Sequence, residues 1–167
     1  PTHCNRNPRL FDEALRFAAD GGRIDLTAGI GEHDPSMPVE AAIRIAVERG
    51  APLGNISVSS DAHGSLPVFD ENGNLERLDV ASQNTLLEQL RAIVRSGALE
   101  LPRAAALFST NPAGFYGLDA KGRVAAGRDA DLLFLNEDLE LVHLLARGRK
   151  AVIDGNTVLQ GTFSESV

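Results

Sequence analysis

The stretch ISVSSDAHGS, residues 56–65, combines β-forming residues with an acidic, glycine-containing end. Its first five residues predict a strand, Asp61 follows directly, and Gly64 allows the loop behind it to approach closely. An acid at the carboxyl end of a strand can hold a cation and can also move a proton. A helix cap or a turn-forming aspartate explains Asp61 equally well at this point.

The segments around this stretch alternate between helical and extended patterns. Apolar residues recur at helical spacing after Asn7-Pro8, after Pro38, over residues 85–95 and after Pro102. A short strand is predicted at residues 24–27 and another at 56–60, and residues 70–74 have the chemistry of a turn within a loop. This alternation predicts an α/β fold with parallel β/α units, whose chemistry lies in the loops that follow the strands.

The pattern changes near Tyr116-Gly117. Beyond it, short apolar runs at residues 130–135, 141–146, 150–153 and 156–159 are separated by glycines and by Asp154-Gly155. We therefore expect two domains: residues 1–118, built from β/α units, and residues 119–167, built from short strands.

Composition excludes several classes of protein. The formal net charge of -7 argues against nucleic acid as a partner, because binding to phosphates requires clustered Lys and Arg. No apolar stretch approaches the roughly 20 residues that cross a bilayer, so no membrane partner is expected. The single cysteine, Cys4, cannot form an internal disulfide, which suits a cytoplasmic protein.

A second candidate site residue is His3, which lies just before the first predicted helix. In a β/α barrel this position corresponds to the carboxyl end of a strand, which is a catalytic location. Taken alone, a histidine there is more often a hydrogen-bonded structural residue than a metal ligand.

Four motifs together resemble the metal-dependent amidohydrolase superfamily, and isoaspartyl (β-aspartyl) dipeptidases in particular. The amino-terminal Pro-Thr-His-x-Asn-Arg and the Ser-Ser-Asp-x-x-Gly-Ser of residues 59–65 are similar to the sixth-strand and eighth-strand segments of those enzymes. Asn111-Pro112-Ala113 and the Gly-x-x-Ala-Asp-Leu of residues 127–132 are similar to their closing segments. The order and spacing of the motifs agree as well.

The resemblance implies a fold, a cofactor and a reaction. The fold is the carboxyl-terminal part of a (β/α)8 TIM-like barrel, the region of strands 6 to 8, followed by part of a small β-sandwich. The cofactor is a pair of zinc ions bridged by a carboxylated lysine and hydroxide, with His3 as a ligand of one ion and Asp61 as a ligand of the other. Asp61 would also relay the proton, while Arg6 and Ser65 would bind a small β-aspartyl dipeptide. A homo-oligomer of the full-length protein is implied too.

The sequence departs from the family pattern in two places. The first-strand His-x-His pair, the lysine and the fifth-strand histidine have no counterpart in residues 1–167, so we expect an incomplete carboxyl-terminal part that is inactive alone. Ala62-His63 stands where Gly-Asn is frequent, and His63 either lines the pocket or is a surplus exposed imidazole. Glu32, His33 and Asp34 favour a solvated loop over pocket lining, and His143 is interpreted as structural.

Two alternatives stay open. Another amide hydrolase of the same superfamily, such as a D-aminoacylase or a dihydroorotase-like enzyme, shares most of the motifs. A non-catalytic module that contributes only an assembly surface would explain a chain with so few ligands.

Overall fold

Two short parallel strands lie at the centre of the first part of the chain. A computed structural model describes residues 1–29 and 36–159, and in it β1 (Ile24–Thr27) pairs with β2 (Ile56–Ser59) in parallel, with Asp25 opposite Ser57 and Thr27 opposite Ser59. The segment before the first helix runs beside β1, because the backbone N–H of Asp25 donates to Pro1 and that of Cys4 donates to Asp25. The predicted strand at residues 56–60 is confirmed, one residue shorter.

Alternation of side chains gives this small sheet two different faces. Ile24, Leu26, Ile56 and Val58 are buried on one face, where the helices pack. The opposite face carries hydroxyl and carboxyl groups, those of Asp25, Thr27, Ser57 and Ser59. A sheet whose apolar face meets helices and whose other face is polar is an α/β arrangement.

Four of the five helices in the described residues follow the predicted pattern closely. The side chain of Asn7 accepts a hydrogen bond from the backbone N–H of Arg9 and so caps the first helix, whose first residue is a proline. The third helix has the predicted bounds, whereas the fifth, around Asn111-Pro112, was not predicted. The helices are α1 (Pro8–Ala19), α2 (Val39–Glu48), α3 (Thr85–Arg95), α4 (Leu101–Phe108) and α5 (Thr110–Phe115), and a short 3-10 turn covers Leu53–Asn55.

The segment after Asp61 forms a hairpin where the sequence pattern predicted a loop. Strands β3 (Ser65–Phe69) and β4 (Leu75–Val80) pair antiparallel around the turn at residues 70–74. Asp70 closes that turn by accepting the backbone N–H groups of Asn72 and Asn74. Leu66 and Val68 are buried beneath the hairpin, while its other face is exposed. The turn chemistry was recognised correctly, but the strands on either side of it were not.

The chain divides into two compact units, Pro1–Gly117 and Leu118–Val167. The second unit, described as far as Leu159, is a four-stranded antiparallel sheet in the order β5 (Leu132–Leu135), β6 (Leu141–Ala146), β7 (Arg149–Ile153) and β8 (Asn156–Thr157). Two-residue turns join β6 to β7 and β7 to β8. Within the described ranges, no helix has the length and apolar character needed to span a membrane.

Candidate functional site

The carboxyl edge of β1 and β2 gathers the polar residues of the amino-terminal motif. Arg6 and Asp61 are 55 positions apart in the sequence, yet Arg6 Nη2 lies 2.8 Å from Asp61 Oδ2. Both side chains are about one-third exposed, at 37% and 32%. An ion pair with that exposure is partly accessible to a small ligand, and it joins the two segments that carry the family motifs.

The guanidinium of Arg6 has donor capacity beyond this ion pair. Its Nε is buried and has no hydrogen-bond partner among the described residues. A buried donor without a partner is unfavourable, so this nitrogen requires an explanation. The planar fork of arginine can therefore contact Asp61 at one end and a second acceptor elsewhere.

Asp61 lies in a tight loop that fixes its position. The backbone N–H of Gly64 donates to the carbonyl of Asp61 at 2.9 Å. A Cβ at Gly64 would lie 2.8 Å from that carbonyl oxygen and 3.0 Å from Asp61 Oδ1, so only glycine fits there without a shift. Asp61 itself has a left-handed backbone with φ of 52°, which is uncommon outside glycine.

His63 continues this loop and is exposed. Its backbone N–H donates to Ala81 at 3.0 Å, and its ring Nε2 lies 3.3 Å from the side-chain Nε2 of Gln83. Its φ of 64° is also left-handed. The end of the β3–β4 hairpin thus holds His63 beside Asp61, which is compatible with pocket lining, whereas no described contact makes it a metal ligand.

His3 is half-buried and is held by the end of β1. Its ring Nδ1 lies 2.6 Å from Thr27 Oγ1, and Thr27 is only 1% exposed. The backbone N–H of Arg6 donates to the carbonyl of His3 at 3.0 Å, which forms a turn between the two residues. His3 and Arg6 therefore belong to one short, hydrogen-bonded segment.

Asn5 is the site residue to which the sequence motif gave no role. It is fully buried, and its Oδ1 accepts the Thr27 N–H at 2.8 Å. Its Nδ2 donates to the carbonyls of Thr27 at 3.1 Å and Met37 at 2.8 Å. The residue lies between His3 and Arg6 in the His-x-Asn-Arg motif, and that location was the only signal in the sequence that could have identified it.

The remaining predicted residues are less closely connected. Ser65 begins β3, is exposed and pairs with Val80 through the hairpin. Cys4 is buried, and this burial raises the pKa of its thiol. His143 belongs to the second unit, where its Nδ1 accepts the backbone N–H of Asp154. The Glu32, His33 and Asp34 trio lies outside the described residues.

His3 and Asp61 are the residues predicted to bind zinc. An imidazole and a carboxylate are zinc ligands by type. Within residues 1–29 and 36–159, however, no three His, Cys, Asp or Glu side chains are grouped so that they could hold a metal ion. The two candidate ligands, His3 and Asp61, would therefore need further ligands to hold a zinc ion.

The chain is similar to one protein family and to several solved structures. Residues 36–158 match the model of the amidohydrolase family. A β-aspartyl dipeptidase from Fervidobacterium islandicum AW-1, solved in complex with β-Asp-Leu, is 37% identical with a TM-score of 0.82; the match covers 97% of this chain and 42% of that one. A second structure of such an enzyme from this organism is 31% identical with a TM-score of 0.77, covering 97% and 40%.

Sequence relatives have other activities. An adenine deaminase from Bacillus velezensis is 31% identical over 148 residues, which is 80% of this chain and 25% of the deaminase. An allantoinase from Salmonella newport is 33% identical over 126 residues, covering 63% of this chain and 28% of the allantoinase. The chain thus spans 25% to 42% of the length of these four proteins.

Proposed function

The chain belongs to the amidohydrolase family, and we propose that the full-length protein containing it hydrolyses β-aspartyl (isoaspartyl) dipeptides. The observation that carries this proposal is the contact between Arg6 and Asp61. In that contact a cation that would bind a substrate carboxylate lies against a carboxylate that would carry a proton, and hydrolysis of a β-aspartyl dipeptide would use both. The likeness to β-aspartyl dipeptidases over 97% of the chain supports it.

The proposal includes an architecture. We assign residues 1–118 to the strand 6 to 8 region of a (β/α)8 barrel and residues 119–167 to part of a small β-sandwich. Parallel pairing of β1 with β2, helices on one face and polar side chains on the other support the first assignment. The four-stranded antiparallel sheet supports the second.

Arg6 and Ser65 would bind the substrate. A β-aspartyl dipeptide carries a free α-carboxylate beside its isopeptide bond, and a guanidinium fork binds such a group through two parallel hydrogen bonds. The side chain of Arg6 is partly exposed, so a substrate carboxylate could reach its guanidinium. Ser65, exposed at the start of β3, would add a hydroxyl.

Asp61 would move the proton. Its carboxylate, which accepts a hydrogen bond from Arg6 at Oδ2, would take a proton from the attacking water and return it to the leaving nitrogen of the isopeptide bond. A carboxylate held in a tight loop can perform both steps without a large movement.

His3 and Asp61 would contribute to a zinc site together with ligands from the rest of the protein. When bound, zinc supplies Lewis acidity and makes water a stronger acid near neutral pH. With Nδ1 against Thr27, His3 has Nε2 left for this role. The incomplete donor set of the described residues implies that this chain alone would not bind zinc tightly.

A substrate panel tests the proposal. The full-length protein, loaded with zinc, would be assayed on β-Asp-Leu, allantoin, adenine, dihydroorotate and an N-acyl-D-amino acid under identical conditions. We expect kcat/KM to be highest for β-Asp-Leu, and to be lost when Arg6 is replaced by methionine. A preference for allantoin or adenine would instead support the activities of the sequence relatives, and no turnover with any substrate would support a non-catalytic assembly module.

A further inference from the structure

Thr27 lies where it can control the ring of His3. It is the last residue of β1, it is almost completely buried, and its Oγ1 lies 2.6 Å from His3 Nδ1. A β-branched side chain in a strand has few accessible rotamers, so the hydroxyl has a defined direction. The Nδ1 atom of the imidazole therefore has a hydrogen-bond partner, the Thr27 hydroxyl, whose position is fixed.

Asn5 fixes the backbone that carries this hydroxyl. Its side chain bonds to both the N–H and the carbonyl of Thr27, as a neighbouring strand would, and its remaining described bond holds Met37. Both of its amide hydrogens and its oxygen are used, and none of the side chain is exposed. We call the two hydrogen bonds between the Asn5 side chain and the Thr27 backbone the Asn5 clamp. Because Asn5 also lies between His3 and Arg6 in sequence, this clamp fixes His3 relative to Thr27.

We propose that Thr27 is a positioning residue whose hydroxyl accepts the Nδ1–H of His3 and so keeps the lone pair of the neutral ring on Nε2. A neutral imidazole carries one N–H, and the partner of one nitrogen decides which nitrogen is left as the donor of electrons. If the Thr27 hydroxyl donated instead, Nε2 would carry the hydrogen and could bind no metal ion. This inference rests on the proposed zinc-dependent function.

The tautomer of His3 is measured directly. In the zinc-free, full-length protein labelled with 15N-histidine, two-bond 15N–1H correlation spectra distinguish the two tautomers, and the His3 signals are assigned by their loss in His3→Gln. We expect the Nδ1–H form in the wild-type protein. The Nε2–H form as the main species in the wild-type protein would overturn the inference, whatever any variant does.

A matched pair of variants separates the hydroxyl from the packing. Thr27→Val keeps the shape and removes the hydroxyl, whereas Thr27→Ser keeps the hydroxyl and loses a methyl group. We expect Thr27→Val to shift His3 towards the Nε2–H form, to weaken zinc binding about 10- to 100-fold and to lower kcat with little change in KM. Thr27→Ser should retain the wild-type tautomer and zinc affinity even if its Tm falls.

The outcomes distinguish this inference from the proposed function. Equal zinc affinity and an unchanged tautomer in Thr27→Val would overturn the role of Thr27, even if β-Asp-Leu is hydrolysed. The expected tautomer and zinc responses in a protein that does not hydrolyse β-Asp-Leu would support the role of Thr27 and refute the proposed substrate.

Discussion

The two units use the same unusual backbone conformation for different purposes. Among the described residues of the first unit, the non-glycine residues with positive φ are His3, Asp61 and His63. In the second unit they are Leu139, Arg147 and Asp154. Each such residue costs about 1–2 kcal/mol relative to a right-handed conformation, so each requires an explanation.

For two of the three residues in the second unit the explanation is turn geometry, whereas Leu139 lies in the longer connection between β5 and β6. Arg147-Gly148 and Asp154-Gly155 each join two antiparallel strands through two residues with positive φ, and this is the type I′ turn that matches the twist of a hairpin. The first-unit residues are in no two-residue hairpin. They lie in loops at the carboxyl edge of β1 and β2, where strained conformations are associated with function. Changes there should affect activity, and changes in the second unit should affect stability.

The largest effect is expected for Asp61→Asn. Asparagine tolerates the left-handed conformation as well as aspartate does, so the loop should be retained while the proposed proton carrier is lost. We expect kcat for β-Asp-Leu to fall at least about 100-fold, measured by steady-state kinetics of the zinc-loaded full-length protein. Asp154→Asn is the matched control: it makes the same chemical change at a left-handed aspartate of the second unit and should leave kcat unchanged. A near wild-type kcat for Asp61→Asn with zinc bound would show that the left-handed aspartate of the first unit is no more important for activity than that of the second unit.

A smaller loss is expected for Arg6→Lys. Lysine retains the charge but cannot contact Asp61 and a substrate carboxylate through a planar fork. We expect kcat/KM for β-Asp-Leu to fall about 10- to 100-fold. Arg49→Lys is the control, because Arg49 forms an exposed ion pair with Asp12, and neither residue is a predicted site residue. Equal kcat/KM values for wild type and Arg6→Lys would exclude Arg6 as the carboxylate clamp.

Local patterns were sufficient to predict most elements of the first unit. Helices α1 to α4 and strands β1 and β2 follow apolar periodicity and Asn-Pro, Pro or Gly boundaries. The β3–β4 hairpin was missed because Pro67 interrupts its first strand and because β4 is mostly exposed, so it has no alternating pattern. Its position depends on the burial of Leu66 and Val68, which is tertiary information.

The candidate site was only partly predictable for a similar reason. Motifs identified His3, Arg6, Asp61 and Ser65 as candidates, but a contact across 55 positions, such as that between Arg6 and Asp61, is set by the pairing of β1 with β2. Thr27 is typical of a strand, and nothing in the sequence indicates that it contacts His3. The Asn5 clamp likewise depends on the approach of the amino-terminal segment to β1.

A modest effect on stability is expected for Asp131→Asn in the second unit. Asp131 bonds to the Lys121 ammonium and accepts the Arg147 N–H at 2.6 Å, and these contacts hold the pKa of its carboxyl below the ordinary value, the Lys121 hydrogen bond most of all. A lowered folded-state pKa gives stability that is present above the unfolded pKa, near 3.9, and is lost as pH falls through the lower folded value.

The test for Asp131 is the pH dependence of amide exchange. Hydrogen–deuterium exchange across β6 and β7 should be faster in Asp131→Asn than in wild type at pH 7, and the two proteins should converge below the folded-state pKa. Activity on β-Asp-Leu should not change. A difference that persists undiminished in acid would show that the charge of Asp131 is not the stabilising feature.

The smallest effect, and the only gain, is expected for Arg147→Asn. Arg147 is exposed and has φ of 50° in the first position of the turn before Gly148, and asparagine followed by glycine is the pair that type I′ turns favour most. Arginine also contributes a favourable charge near Asp131, but solvent screens that interaction, so relief of backbone strain should prevail. We expect local stability to rise by about 0.5 kcal/mol, seen as roughly twofold slower amide exchange in β6 and β7 with unchanged kcat.

Arg149→Asn, the same substitution two residues later in β7, should give no such gain because asparagine is unfavourable in strands. Faster exchange in Arg147→Asn than in wild type would mean that the left-handed residues of the second unit are not there for turn geometry alone, and the distinction between the two units would lose its basis.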